Sequence, residues 1–166
     1  MSFFETIKAY QEKDPSARSK FEVLLYPGFW ATGYYRIAHK LYSVKLYFLA
    51  RLVSMLGRFF TGVEIHPAAK IGKRLVIDHG MGIVIGGSAI IGDDVLLYHN
   101  VTLGATDMES ERRHPELKNN VTVGANAILL GNITVGNNVV IAAGATVLAD
   151  VASDTTVVGL YKGKKI

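Results

Sequence analysis

The sequence predicts a mainly β fold: a parallel β-helix of stacked hexapeptide repeats, preceded by a small α-helical N-terminal region. From residue 61 onward aliphatic residues recur with a period of six, often followed by glycine, which is typical of short strands joined by tight turns in a solenoid. The first sixty residues hold Trp30 and most of the aromatic residues, with apolar positions at helical spacing. The repeated aliphatic positions are Ile65, Ile71, Ile77, Ile85, Ile91, Leu97, Leu103, Leu117, Val123, Leu129, Val135, Ile141 and Val147.

The chain divides into three predicted parts. Residues 1–60 form the helical region, residues 61–152 form the coil, and residues 153–166 form a C-terminal tail. The hexad period slips by two residues between Ile77 and Ile85 and is broken by the charged, proline-containing stretch 105–116. We expect this stretch to leave the coil as a loop, which is a common location for functional residues.

Composition narrows the possible chemistry. The chain has 166 residues, a net charge of +4 and no cysteine, which excludes disulfides and cysteine nucleophiles and fits a reducing cytoplasm. The basic residues form no stripe with aromatic residues, so nucleic-acid binding is not expected, and the N-terminus lacks a signal-peptide pattern. The most apolar stretch, residues 45–60, is shorter than the roughly 20 residues of a spanning helix. It predicts a packed or interface helix, with attachment to a membrane surface as the alternative.

Several stretches resemble serine acetyltransferases, within the superfamily of hexapeptide acyltransferases. They are YPGFWATGYYRIAHKLY (26–42), VEIHPAAKIG (63–72), IDHGMGIVIG (77–86), NVTLG (100–104), RRHP (112–115) and KDPSA (13–17). The YRIAH and IDHGMGIVIG segments are the specific ones, because the hexad alone predicts only a β-helix. The resemblance implies a left-handed parallel β-helix, assembly as a trimer, and binding of acyl-CoA in the groove between neighbouring subunits.

The resemblance also implies the reaction, which is transfer of acetyl from acetyl-CoA to the hydroxyl of L-serine, giving O-acetylserine for cysteine biosynthesis. Such a transfer needs a base near neutral pH, and His79 matches the catalytic histidine of the family. Glu64 occupies the position of the carboxylate that orients this base, where the family more often has aspartate. The structural alternative for His79 is a histidine held by backbone hydrogen bonds at a glycine-rich turn. The alternative for Glu64 is a solvated acid at a turn.

Serine is a zwitterion, so its site needs acids for the ammonium group and donors for the carboxylate. The resemblance implies that Asp14 and Asp78 bind the ammonium group and that Arg113 and His114 bind the carboxylate from the loop. Asp14 before Pro15 is equally typical of a helix N-cap, and the loop residues could be solvated charges. Small residues that also suit ordinary hexad turns are expected to contact coenzyme A, namely Gly104, Ala125 and Ala143.

The same resemblance suggests what the chain binds. Acetyl-CoA is expected as a co-substrate, with no permanently bound cofactor and no metal. We expect a homotrimer, with a dimer of trimers as the larger alternative. The terminal Ile166 matches an isoleucine that some relatives insert into O-acetylserine sulfhydrylase, which makes that enzyme a candidate partner. The chain departs from the family pattern at two places near the loop. Residues 105–107 stand where the family usually has a second glycine and a Thr-Gly pair, and His99 replaces a commoner glutamine.

Three alternatives stay open at the level of sequence. The same coil and histidine serve acetylation of a sugar or another small hydroxyl acceptor, although a neutral sugar needs no carboxylate clamp. A β-helix zinc enzyme would need a third histidine shortly after His114, and residue 119 is asparagine. A non-catalytic protein would use the coil only as a trimeric scaffold.

Overall fold

The computed structural model describes residues 3–163, in which four α-helices precede fifteen short β-strands. None of the helices in this range is long and apolar enough to cross a membrane. Ile166, the candidate contact to a partner enzyme, lies outside the described residues. The helices are α1 (Phe3–Lys13), α2 (Lys20–Val23), α3 (Pro27–Ser43) and α4 (Tyr47–Thr61). The strands are β1 (Glu64–Ile65), β2 (Lys70–Ile71), β3 (Val76–Ile77), β4 (Val84–Ile85), β5 (Ile90–Ile91), β6 (Leu96–Leu97), β7 (Thr102–Gly104), β8 (Glu116–Leu117), β9 (Thr122–Val123), β10 (Ile128–Leu130), β11 (Thr134–Val135), β12 (Val140–Ile141), β13 (Thr146–Val147), β14 (Thr156–Val157) and β15 (Leu160–Tyr161).

Local signals set the ends of the helices. Ser19 and Glu22 form a reciprocal capping box at the start of α2, which satisfies two backbone N–H groups that have no partner inside the helix. Helix α4 ends at Gly62, whose φ of 70° suits a glycine cap. Helix α4 packs against α3 and against β1, and the residues that it buries are small: Ala50, Ser54, Gly57 and Thr61.

The strands form three parallel sheets that wind into a triangular prism. Sheet A contains β1, β4, β7, β10, β13 and β15, sheet B contains β2, β5, β8 and β11, and sheet C contains β3, β6, β9, β12 and β14. One turn of the coil takes three hexads, so that Val123 pairs with Ile141, eighteen positions later. The predicted left-handed parallel β-helix with an N-terminal helical region is confirmed.

A column of aliphatic side chains fills the prism. The hexad residues from Ile65 to Val147 are at most 4% exposed, except Ile71, which is partly buried. Full burial of a side chain of this size contributes about 1.5–3 kcal/mol, so this column is the main source of stability in the coil. A second buried row lies four positions after hexad residues and consists of Ala69, Ala89, Val95, Val101, Val121, Ala127, Val139 and Ala145.

Both interruptions of the hexad period leave the prism at corners. The two-residue slip enlarges the corner between β3 and β4, where sheet C turns into sheet A. We call this corner the CA corner. The charged stretch forms the loop between β7 and β8, where sheet A turns into sheet B, at the AB corner. Insertions at corners leave the aliphatic column intact, because they add residues only where the chain already turns.

Two predicted boundaries need correction. Glu116, assigned to the loop 105–116, begins β8 because it pairs with both Ile90 and Thr134 in sheet B. The predicted tail 153–166 contains β14 and β15, so the coil extends to the last pair of strands. The sequence pattern missed β14 because Val157 does not follow the six-residue spacing. Val157 is nevertheless buried and pairs with Ile141.

The third corner, between sheets B and C, carries a ladder of residues with left-handed backbone. The Asn120 amide donates to the Asn138 side-chain oxygen at 3.0 Å, and the Asn138 amide donates to the Asp154 carboxylate at 2.7 Å. Asparagine and aspartate tolerate this conformation better than other side chains do, which explains their recurrence at this corner. The residues at this corner with φ between 55° and 61° are Arg74, Asp94, Asn120, Asn138 and Asp154.

We predict that Asn120→Ala lowers the free energy of unfolding by about 1–2 kcal/mol, because alanine is strained at positive φ. Asn120→Gly is the matched control, since it removes the same side chain without that strain and should cost less. Urea unfolding of both variants at one protein concentration measures the difference. Equal losses in the free energy of unfolding for the two variants would show that the amide ladder, and not backbone strain, determines how much Asn120 stabilises the fold.

Candidate active site

The enlarged CA corner presents His79 to solvent. Asp78 and His79 directly follow β3, and His79 has a φ of 60° and a side chain that is 71% exposed. The corner closes through Gly82, whose φ is 76° and where a Cβ atom would overlap with the Asn100 side chain. The ring Nε2 of His79 lies 3.8 Å from a carboxylate oxygen of Asp78. The two-residue slip seen in the sequence is therefore the segment that carries the exposed imidazole.

The helical region is fixed to the coil immediately before this corner. The buried Tyr10 hydroxyl accepts the N–H of Ile77 and donates to its carbonyl oxygen, both at 3.2 Å. Burial raises the pKa of Tyr10 well above its ordinary value, so the hydroxyl keeps its proton. Gly28 of α3 also lies so close that a Cβ there would overlap with the Ile77 carbonyl oxygen. Helices α1 and α3 thus have a defined position relative to Asp78 and His79.

Asp14, just after α1, faces the same corner. Its carboxylate accepts hydrogen bonds from the backbone N–H and hydroxyl of Ser16, at 2.8 and 2.7 Å, and from the Tyr26 hydroxyl. Burial raises the pKa of Asp14, but the hydrogen bonds from Tyr26 and Ser16 outweigh it, so this pKa lies below its usual value. Asp14 is therefore ionised at neutral pH.

Three of the predicted site residues line one open groove of about 570 Å³. They are Asp14, Asp78 and His79, and the structure brings them together from α1 and the CA corner. Asp14 and Asp78 place carboxylates beside an exposed imidazole, which suits a cationic ligand next to a base. The other residues that line it are Ser16, Glu22, Leu25, Tyr26 and Pro27.

The other predicted polar residues line a second groove, of about 420 Å³, at the AB corner. Glu64 enters it from β1, and Arg113 and His114 enter it from the loop between β7 and β8. His114 is 9% exposed. Burial, together with the nearby Arg113 and His66, lowers the pKa of His114, so its ring is neutral near pH 7. This groove joins a neutral imidazole to a guanidinium, which suits an anionic group.

Glu64 does not contact His79 within one chain. Its carboxylate instead pairs with two arginines of α4, Arg51 at 3.2 Å and Arg58 at 2.9 Å. The carboxylate that lies near the His79 ring within the chain is that of Asp78. The predicted pairing of Glu64 with His79 is therefore not seen within one chain.

The residues predicted to contact coenzyme A are split between the two corners. Ala125 and Ala143 lie at the CA corner on the coils beyond His79, and the Ala125 carbonyl accepts the N–H of Gly144 at 2.8 Å. Gly104 ends β7 next to the AB corner, and its carbonyl accepts the N–H of Gly131 at 3.0 Å. Small side chains leave the backbone accessible along both corners.

Sequence reasoning gave no site role to two residues that contact His79 or Asp14. His99 lies on the next coil, with its ring edge-on to that of His79 at 5.7 Å between centroids. Its Nδ1 is buried and has no hydrogen-bond partner among residues 3–163. Tyr26 binds Asp14, and no pattern in the sequence links these two positions. The sequence offered one signal for His99, namely its departure from the pattern of the family that the chain resembles. Across the described range no three His, Asp or Glu residues are grouped to hold a metal ion.

Comparisons with known proteins point to one family. The model of the bacterial transferase hexapeptide (six repeats) family matches residues 114–149. A serine acetyltransferase of Synechococcus elongatus is 57% identical over 150 residues, which are 90% of this chain and 62% of that protein. A serine acetyltransferase of Helicobacter pylori is 56% identical over 149 residues, which are 89% of this chain and 87% of that protein.

A solved structure of the same family has a similar fold. The crystal structure of Neisseria gonorrhoeae serine acetyltransferase in complex with serine matches with a TM-score of 0.90 and 40% identity. The match covers 93% of this chain and 64% of that chain. This chain thus spans less than two thirds of the gonococcal and Synechococcus proteins, and most of the Helicobacter protein.

We predict that Tyr26→Phe raises the pKa of Asp14 toward its ordinary value, because the lost hydrogen bond favours the carboxylate. A ¹³C NMR titration of the Asp14 carboxyl group measures this directly. Because the folded pKa is depressed, the stability that ionised Asp14 contributes is present above its unfolded pKa and is lost as pH falls through the folded pKa. The variant should therefore be destabilised most at neutral pH and least in acid.

Tyr161→Phe, at the far end of the coil, is the control and should leave the Asp14 pKa unchanged. An unchanged Asp14 pKa in Tyr26→Phe would contradict the assigned hydrogen bond.

Proposed function

The chain belongs to the serine acetyltransferase family, and from this we propose that it transfers the acetyl group of acetyl-CoA to the side-chain hydroxyl of L-serine. One observation carries the proposal. An acidic groove beside the exposed His79 and a second groove with Arg113 and His114 provide opposite charges for a zwitterionic amino acid. The products are O-acetylserine and coenzyme A, which fit a step in cysteine biosynthesis.

The ammonium group of L-serine binds between Asp14 and Asp78. The depressed pKa of Asp14 keeps this carboxylate charged at neutral pH, and the hydrogen bonds from Tyr26 and Ser16 hold it toward the groove. A charged pair with hydrogen bonds of this kind is stronger than a neutral one. A sugar hydroxyl acceptor would gain nothing from these carboxylates, so they favour an amino acid over the sugar alternative.

The complete site forms between two subunits of a homotrimer. The two grooves lie at the CA and AB corners, which flank sheet A on opposite sides. A ring of three prisms around an axis parallel to the coil places one corner of each subunit next to a different corner of its neighbour, as heterologous interfaces do. His79 then meets Arg113 and His114 of the partner subunit, which bind the serine carboxylate. Glu64 of the partner subunit, held by its two arginines, comes within reach of the imidazole.

His79 acts as the general base. It takes the proton of the serine hydroxyl while the oxygen forms a bond to the thioester carbonyl carbon. The tetrahedral intermediate then collapses, the carbon–sulfur bond breaks, and the imidazolium returns the proton to the departing thiolate. The carboxylate of Glu64 orients the imidazole and stabilises the imidazolium. Positioning of the two substrates in one groove supplies much of the remaining rate enhancement.

Acetyl-CoA lies along the groove between the corners, as a co-substrate that is consumed in each turnover. Ala125 and Ala143 on one wall and Gly104 on the other let its amide groups approach the backbone. A cytoplasmic location, the absence of a resident cofactor, pairing of trimers and binding of O-acetylserine sulfhydrylase through Ile166 stay predictions from the sequence.

We predict that the chain releases thiol from acetyl-CoA when L-serine is added, and not when a sugar replaces L-serine. L-homoserine serves as a third acceptor for comparison. His79→Asn should lower kcat by about 10²- to 10⁴-fold, the usual contribution of a general base. Asparagine is the better substitute because it tolerates the positive φ at this position, and His79→Ala is the harsher variant.

Lys73→Gln, an exposed substitution at the corner between sheets B and C, should leave the rate unchanged. Release with a sugar alone would move the function to the sugar alternative, and binding of no acyl-CoA at all would favour the scaffold.

A further inference from the structure

Ser88 lies in the turn between β4 and β5, directly beneath the loop residues of the AB corner. Its hydroxyl oxygen accepts the backbone N–H of Arg113 at 3.0 Å and that of His114 at 3.2 Å. The same oxygen lies 2.8 Å from Nδ1 of His114, and the Ser88 backbone N–H donates to this Nδ1 at 3.3 Å. One short side chain therefore contacts the backbone of both loop residues and one ring.

These contacts determine which nitrogen of His114 carries the proton. A backbone N–H can only donate, so Nδ1 accepts and has no hydrogen of its own. The Ser88 oxygen already accepts two N–H groups, which leaves its hydroxyl hydrogen to point at Nδ1. The ring is then the neutral tautomer with its hydrogen on Nε2, and Nε2 is a donor.

A second contact fixes the plane of this ring. A Cβ atom at Gly86 would overlap with Cδ2 and Nε2 of His114, so the ring packs directly on the backbone of β4 and its turn. The neighbouring Gly87 leaves room for the ring of His66 in the same way, because a Cβ atom at Gly87 would lie only 3.0 Å from Nδ1 of His66. Arg112 anchors the loop further through ion pairing with Glu116. The position of His114 is thus set from the coil as well as from the loop.

We propose that Ser88 is a positioning residue for the carboxylate of the amino-acid substrate. Its hydroxyl holds the Arg113–His114 backbone against the coil and fixes His114 as a neutral donor through Nε2. This role rests on the proposed function, because it assumes that Arg113 and His114 bind that carboxylate. Ser88 acts through these two residues and takes no part in the transfer of the acetyl group or the proton.

Threonine and valine provide a matched pair of substitutions, since they differ only in the hydroxyl. Ser88→Val should raise KM for L-serine by about tenfold or more, because a displaced His114 no longer donates its Nε2 hydrogen bond to the charged carboxylate of the substrate. KM for acetyl-CoA should stay at the wild-type value, and Ser88→Thr should keep KM for L-serine near wild type. Ser88→Ala repeats the test if valine impairs folding, as judged from the thermal unfolding midpoint.

A second readout does not depend on activity. In ¹⁵N-histidine-labelled wild type, His114 should show an unprotonated Nδ1 and a protonated Nε2 at neutral pH. Ser88→Val should raise the pKa of His114, because a donor to Nδ1 favours the neutral ring, whereas Ser88→Thr should not. The charged and titratable groups around this ring are Arg113, His66, Glu64, Arg51 and Glu111, and they are the same in all three proteins.

Wild-type KM for L-serine in both Ser88→Val and Ser88→Ala, or a protonated Nδ1 in the wild type, would overturn the role of Ser88. Absence of serine-dependent thiol release by the wild type would instead overturn the proposed function, and the two failures are thereby distinguished.

Discussion

The aliphatic column inside the prism is the constraint on which the rest of the structure depends. Each hexad must return one side chain to this column, so the chain can gain residues only where it turns between sheets. The two insertions obey this rule, since one enlarges the corner after Ile77 and the other follows β7. Chemistry in this fold is therefore confined to corners, and the two corners that carry it flank sheet A.

This confinement explains why the candidate site residues of one chain lie in two separate grooves. The groove at the CA corner joins the proposed base to Asp78 of the corner and Asp14 of the helical region, and the groove at the AB corner joins cationic and neutral donors to the carboxylate of Glu64. The rigid coil cannot bend to bring these corners together. A neighbouring copy can, which makes assembly part of the proposed mechanism. In that mechanism Glu64, which pairs with Arg51 and Arg58 of its own chain, faces the histidine of the neighbouring copy.

Regular features were predictable from the sequence and irregular contacts were not. The hexad period identified the buried column, and its slip located the corner of His79, because both follow from a repeated local pattern. The last strands escaped prediction because Val157 does not keep the period. Other contacts join side chains that no repeated pattern of the sequence relates: Asp14 with Tyr26, Glu64 with Arg58, and Ser88 with His114. Only tertiary packing determines such contacts.

A subunit-mixing experiment tests most directly whether the site is shared. Chains carrying His79→Asn and chains carrying Arg113→Gln, each inactive alone, are unfolded together in equal amounts and refolded into mixed trimers. A shared site should restore about a quarter of wild-type activity, because each site needs an intact histidine from one chain and an intact arginine from the next, each present with a chance of about one half. Activity no higher than that of either variant alone would contradict a site built from two subunits.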